Sequence, residues 1–185
     1  MSFRTRLIAL HYSAATSRKK IRTLLAPLGA LIFFTVIILM VLLFLRIDRW
    51  LHLPAFPVGP WNLALSVPLL ALGLILVVWS NANFFRAKGT PVPLNPPPKV
   101  VTTGPYAYVR NPMLTGLFLQ LFGLGVLLRS ISLTFLFTPL FVVINVLEIL
   151  AVEEPELAKR LGLEYMEYRK RTPMFFPRLK QRRPA

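Results

Sequence analysis

Glu148, Glu153, Glu154 and Glu156 make up four of the seven acidic residues of this chain, and they fall within nine positions. Pro155 suits the first turn of a helix, where carboxylates meet the positive end of the helix dipole; that accounts for one or two of the glutamates and leaves others to meet a cationic ligand. A second run with chemical content is Thr103 to Met113, TGPYAYVRNPM. Asn111 there suits the N-cap of a helix and Pro112 its first position. A helix start presents unpaired N–H groups that favour an anionic group such as a carboxylate. Tyr106, Tyr108 and Met113 can line an apolar slot beside it, or the tyrosines can serve as interfacial anchors. His11 and His52 stand alone, so no metal site is expected, and the absence of cysteine excludes disulfides, thiolate nucleophiles and cysteine-ligated zinc.

The elements that must position these residues are membrane helices. At 185 residues, 55% hydrophobic and 16% charged, the chain is too apolar for a soluble domain. Arg22 and Arg46 bracket an uncharged first span, too long for a signal-peptide apolar region and so expected to be retained. Leu63 to Trp79 is the second span, with Pro68 placed to kink it. Trp50, Trp61 and Trp79 suit its interfacial flanks. Asn111 to Leu128 and Ser130 to Leu147 are two further apolar runs divided by Arg129 alone, the pattern of a tight helical hairpin.

Alternating topology puts 19 of the 22 Lys and Arg residues on one side, and the positive-inside rule makes that side cytoplasmic. Both termini and the long loop then face inward. The net charge of +15 follows from this orientation, with attraction to anionic headgroups as a secondary effect, so nucleic-acid binding is not expected. The expected fold is all-α and integral to the membrane: four transmembrane helices and a C-terminal cytoplasmic amphipathic helix. With no organelle address recognised, the expected location is a bacterial cytoplasmic membrane.

The loop before the hairpin carries Pro91, Pro93, Pro96, Pro97, Pro98 and Pro105, a density that favours stiff extended backbone, either as a pocket wall or as a spacer. After the hairpin, Leu157, Leu161, Tyr165 and Tyr168 recur at helical spacing on one face while Lys159, Arg160, Arg169, Lys170 and Arg171 lie elsewhere, which predicts an amphipathic surface helix ended by Thr172-Pro173. Phe175, Phe176 and Pro177 read as an interfacial plug or a pocket lid. The organisation is thus a basic segment 1–22, two membrane helices within 23–85, and a region 86–185 holding the loop, a hairpin 112–150, an amphipathic helix 154–171 and a tail.

Gly104-Pro105-Tyr106-x-Tyr108-Val109-Arg110-Asn111-Pro112-Met113, the hairpin, Glu153-Glu154-x-x-Leu157, Leu161-Gly162-x-Glu164-Tyr165-x-x-Tyr168 and the closing Pro173 together resemble the isoprenylcysteine carboxyl methyltransferase family and related membrane phospholipid methyltransferases. The resemblance covers about residues 96 to 178. It implies an enzyme using S-adenosylmethionine in a cytoplasm-facing pocket, with cofactor contacts on Lys99, Val100, Val101, Tyr106, Asn111, Pro112, Met113, Leu114 and Glu153. In this picture Glu153 accepts the cofactor's ammonium, the helix-start N–H groups its carboxylate, and the valines and aromatics its adenine. An in-line attack on a sulfonium methyl needs the nucleophile positioned and little else; Tyr106, Tyr108 and Glu154 are the candidates for handling a proton. The chain departs from the carboxyl methyltransferases at three places: Asn111 stands for their His, Leu114 for a frequent Tyr, and Ile149 for an Arg associated with substrate in eukaryotic members. A prenylated-protein carboxylate is therefore not the expected substrate. The expected acceptor is a lipophilic carboxylate or other small lipophilic group arriving from the bilayer; the alternatives are phospholipid N-methylation and a catalytically silent membrane scaffold of the same fold.

Overall fold

Uncharged runs of Leu, Ile, Val and Phe fold as helices because the bilayer core offers no water to backbone polar groups. In the computed structural model, which describes residues 3–16, 19–89 and 96–177 and, of residues 19–26, the backbone alone, every regular element is helical. These elements are α1 (Phe3–Thr16), α2 (Lys19–Trp50), α3 (Pro60–Arg86), a 3₁₀ turn (Gly104–Ala107), α4 (Pro112–Leu127), α5 (Leu133–Leu161) and α6 (Leu163–Arg171). The stiff stretch expected at Pro91 and Pro93 lies outside the described residues.

Three helical stretches are long and apolar enough to cross a membrane: Pro27–Trp50, Pro60–Arg86 and Leu133–Leu161. The run expected as a third span yields α4, whose 16 residues rise about 24 Å against a hydrocarbon core of roughly 30 Å. The described fold is three candidate spans plus this shorter apolar helix. Only 6% of the apolar window of Pro27–Trp50 is buried within the protein, so that helix turns most of its surface outward, as a lipid-facing helix does.

Two boundaries differ from expectation. Pro155 does not open a new helix; α5 runs through it without a break, helped by a π turn at Ile149–Glu153. The carbonyl four residues before Pro155, that of Ala151, loses its usual N–H donor and instead accepts from Arg4 Nε at 2.9 Å. The amphipathic helix expected over 154–171 is divided at Gly162, which takes φ +61 and ψ −135 and separates the last turns of α5 from α6. An L side chain seldom adopts that φ, and glycine does so without strain.

α3 and α4 form the most extensive helix pair. A Cβ on Gly73 would lie 2.6 Å from the Gly116 carbonyl oxygen, and a Cβ on Gly116 would lie 2.6 Å from the Gly73 oxygen. The two backbones touch because both residues lack side chains, the small-residue solution to helix packing in lipid. Phe44, Leu121, Leu133 and Phe137 form a buried core between α2, α4 and α5. Arg129 turns the α4–α5 connection with φ +58. At this end of the bundle Asp48, from α2, accepts hydrogen bonds from Ser130 Oγ and from the Ser132 backbone N–H (3.0 Å), so a carboxylate from another helix caps the start of α5.

Candidate functional site

The opposite end of the bundle gathers the end of α3, the 3₁₀ turn, the start of α4, the last turns of α5, α6 and α1. Asn83, buried near the end of α3, donates to the Trp79 carbonyl through Nδ2, and its Oδ1 accepts from Thr103 Oγ1 at 3.2 Å. This holds Gly104, whose φ of +60 turns the chain into the 3₁₀ segment. Tyr106 then packs edge-on against Phe84, ring centroids 5.1 Å apart, and its carbonyl accepts from Tyr168 Oη at 2.7 Å.

Arg110 fastens this loop to the C-terminal region. Its guanidinium donates to the carbonyls of Arg169 (3.0 Å) and Thr172 (2.7 Å) and to Glu154 Oε1 (2.5 Å), while its backbone N–H donates to the Pro173 carbonyl. Glu154, 2% exposed, also faces Arg169 Nε at 2.9 Å through Oε2, a charge contact without hydrogen-bond alignment. Arg160 makes a second junction, to Glu156 Oε1 at 2.7 Å and to the Pro97 carbonyl at 3.2 Å. The tail packs Phe175 against Phe118 of α4, while Phe176 is exposed.

Between these junctions lies a cavity of about 160 Å³. Phe84, Val100, Val101, Ile149, Leu157 and Leu161 give it apolar wall; Lys99, Arg110, Asn111, Glu148, Glu153, Glu154 and Arg160 give it polar groups; Tyr106, Tyr165 and Tyr168 border it. α1 closes one side, contributing His11 and Ala15. It docks on the π turn and the following turns of α5 through Arg4 on the Ala151 carbonyl, Lys159 Nζ over the Tyr12 ring at 4.5 Å, and His11 Nδ1 4.0 Å from Glu148 Oε1.

The polar groups are not equivalent. Glu154 and Glu156 are committed to guanidinium partners, whereas Glu153 has no hydrogen bond or ion pair among the described residues. Asn111 occupies the N-cap position of α4, but its side chain makes no capping bond, so its amide is left for the cavity. Burial pushes the phenols of Tyr106, Tyr165 and Tyr168 well above the ordinary range, so they stay protonated.

Of the residues singled out in the sequence, Lys99, Val100, Val101, Tyr106, Asn111, Glu153 and Glu154 line the cavity together. Pro112, Met113 and Leu114 do not: Pro112 is buried at the helix start, and Met113 sulfur accepts from Asn81 Nδ2 of α3 at 3.9 Å. Nor does Tyr108, which is half exposed. The Asn111 backbone N–H, expected to meet an anion, donates to the Met174 carbonyl at 3.1 Å. Sequence reasoning did not find α1, nor His11 as part of the wall; a weakly amphipathic basic segment gave no periodic signal, and a lone histidine carried little weight. Arg110 was legible only as one letter of a motif.

Among the described residues no three His, Asp or Glu side chains are grouped so as to hold a metal ion. The chain is similar to the nickel-cobalt-cadmium resistance protein NccN of Alcaligenes xylosoxydans xylosoxydans, 37% identical over 132 residues that cover 71% of this chain and 54% of that protein. It is also similar to the cobalt-zinc-cadmium resistance protein CzcN of Cupriavidus metallidurans, 35% identical over 80 residues, 43% of this chain and 36% of that one. The matched stretch thus spans about half the length of the first relative and less of the second. No solved structure matches. The phospholipid methyltransferase family profile matches residues 61–164, from the start of α3 into α6, which takes in most of the cavity-forming elements. With that stretch exceeding half of its length, the chain belongs to the phospholipid methyltransferase family of membrane methyltransferases.

Proposed function

We propose that the cavity binds S-adenosylmethionine and that the protein transfers a methyl group to a lipophilic acceptor at the cytoplasmic face of a bacterial inner membrane. The observation that carries this reading is Glu153, a carboxyl in the cavity wall without a partner among the described residues, next to Glu154, which faces two guanidinium groups. An amino-acid ammonium is the complement that Glu153 lacks. Asn111 offers a free amide, and exposed Lys99 is the cavity-lining cation without a protein partner among the described residues, suited to a carboxylate. Val100, Val101 and Phe84 supply apolar surface for an adenine. The residues present therefore fit the cofactor.

When bound, S-adenosylmethionine supplies a methyl group on a positively charged sulfur, so that the acceptor–carbon bond forms as the carbon–sulfur bond breaks with its electron pair on sulfur. The protein's part is to hold charge at one end of the ligand and exclude water from the other. Ile149, 1% exposed, keeps the wall aliphatic where a charged acceptor would need a partner. The outward-facing apolar helices support delivery of the acceptor from the bilayer. The family description favours an amine-bearing phospholipid as a second reading of the acceptor. The concentration of Lys and Arg on one side supports cytoplasmic termini.

Calorimetry on detergent-purified protein with S-adenosylhomocysteine tests the proposal. Saturable binding is expected, weakened about 10-fold or more by Glu153→Ala, the loss of one charge-assisted hydrogen bond. Absence of binding by the wild type would leave a silent scaffold.

A further inference from the structure

We infer that His11 of α1 accepts the acceptor's proton during methyl transfer in this cavity, with the Glu148 carboxyl facing its ring from 4.0 Å. The inference rests on the methyl-transfer reading above and adds a residue to it.

The other polar groups of the wall are unsuited to the task. Tyr106, Tyr165 and Tyr168 remain protonated, and Tyr168 Oη already donates to the Tyr106 carbonyl. Glu154 faces two guanidinium groups and Glu156 one. Lys99, Arg110 and Arg160 are cations with no lone pair to offer. Glu153 is assigned to the ligand's ammonium. His11 is different: Nδ1 lies 4.0 Å from Glu148 Oε1, and Nε2 makes no hydrogen bond among the described residues. Imidazole is basic enough to take a proton near neutrality and acidic enough to release it. The charged groups of α5 that line the cavity with His11 are Glu148, Glu153, Glu154, Glu156 and Arg160, with Lys99 and Arg110 from the loop before α4, and Lys159 is stacked on Tyr12. A histidine carried on a separate helix that docks on α5 is thereby presented to the cavity.

In the step itself, the acceptor's bond to hydrogen breaks and its electron pair stays on the acceptor atom, where it forms the bond to the methyl carbon. The proton passes to His11 Nε2, and the imidazolium then stands opposite the Glu148 carboxylate. A carboxylate acceptor has no proton to lose and gains nothing from His11. The geometry therefore points to an amine or hydroxyl on a lipid-soluble molecule.

The test compares wild type with His11→Ala and His11→Gln, the second retaining bulk in case alanine loosens α1. S-adenosylhomocysteine binding by calorimetry should stay within about threefold in both variants. The chain has two histidines, His11 and His52, so ring signals are assigned by substitution, and the His11 signal should move when S-adenosylhomocysteine is added. Transfer of label from radiolabelled S-adenosylmethionine to a total lipid extract of Cupriavidus metallidurans should fall about 100-fold or more in both variants, with the acidic limb of the pH–rate profile abolished. Variant rates within about threefold of wild type, an unmoved ring signal, or a wild type that binds S-adenosylhomocysteine yet labels nothing in the extract would each overturn the inference. A wild type that does not bind S-adenosylhomocysteine would instead sink the cofactor reading beneath it.

Discussion

Arg110 and Glu154 are 44 residues apart in the chain and 2.5 Å apart in space, and the pair joins the start of α4 to the cavity end of α5. Glu154 is 2% exposed and Arg110 12%, so the contact is largely shielded from water. The neighbouring Glu153 has no such partner among the described residues. Two consecutive glutamates are therefore used differently: one ties two segments together, and the other is the group that the proposed function assigns to the ligand.

Arg110→Met strands the buried Glu154 carboxylate with only the half-exposed Arg169, and should lower stability by roughly 3 kcal/mol. Adding Glu154→Met should recover more than half of that loss, because both charges then leave together. Thermal unfolding in detergent measures both; a double variant no more stable than Arg110→Met would show that the carbonyl contacts of Arg110, not the ion pair, hold the junction.

Gly116→Ala introduces a methyl 2.6 Å from the Gly73 carbonyl oxygen, a backbone atom with no free rotation to escape. The expected cost is about 1–3 kcal/mol, from forced separation of α3 and α4. Gly162→Ala meets no atom within 4 Å, and its cost should come from backbone conformation alone, about 1–3 kcal/mol. Parallel melting curves separate clash from conformational strain.

Asp48→Ala removes the interhelical cap on α5 and leaves the Ser132 N–H and Ser130 hydroxyl without their acceptor. A loss of about 1–2 kcal/mol is expected, with Asp48→Asn retaining part of it. Thermal shift would read the difference, and cofactor binding at the far end of the bundle should change little.

Burial raises the phenols of Tyr106, Tyr165 and Tyr168, so folding favours their neutral forms. Their contribution to stability is fully present below the ordinary phenol value near 10 and declines as pH rises from there toward the folded values, at about 1.4 kcal/mol per pH unit for each. Spectrophotometric titration of the five tyrosines should leave the phenolate signal of these three undeveloped until the protein unfolds. Full ionisation of a still-folded protein would contradict it.

The site was legible where the chemistry is local. Prolines and glycine mark the turn at 104–107, Asn111-Pro112 marks the start of α4, and an acidic cluster in a basic chain pointed to Glu153 and Glu154. What the sequence hid depends on contacts between distant segments. Pro155 reads locally as a helix start, yet a π turn and the distant Arg4 guanidinium let α5 continue past it. Asp48, the sole acidic residue before Glu148, passes as one charge beside Arg46 and Arg49, and only its partners at Ser130 and Ser132 reveal a cap. Gly162, by contrast, stands directly after Leu161 where a helix commonly stops, and that signal was available.

Because Gly73 and Gly116 touch through their main chains, α3 and α4 cannot slide past each other without raising atoms over atoms. Phe84 and Asn83 ride eleven and ten residues beyond Gly73, and Asn111 five before Gly116, so this mid-bundle contact fixes the height of the cavity's floor against its wall. A thicker or thinner bilayer should tilt the pair as one body, and the dimensions of the cavity should be indifferent to the lipid in which the protein happens to sit.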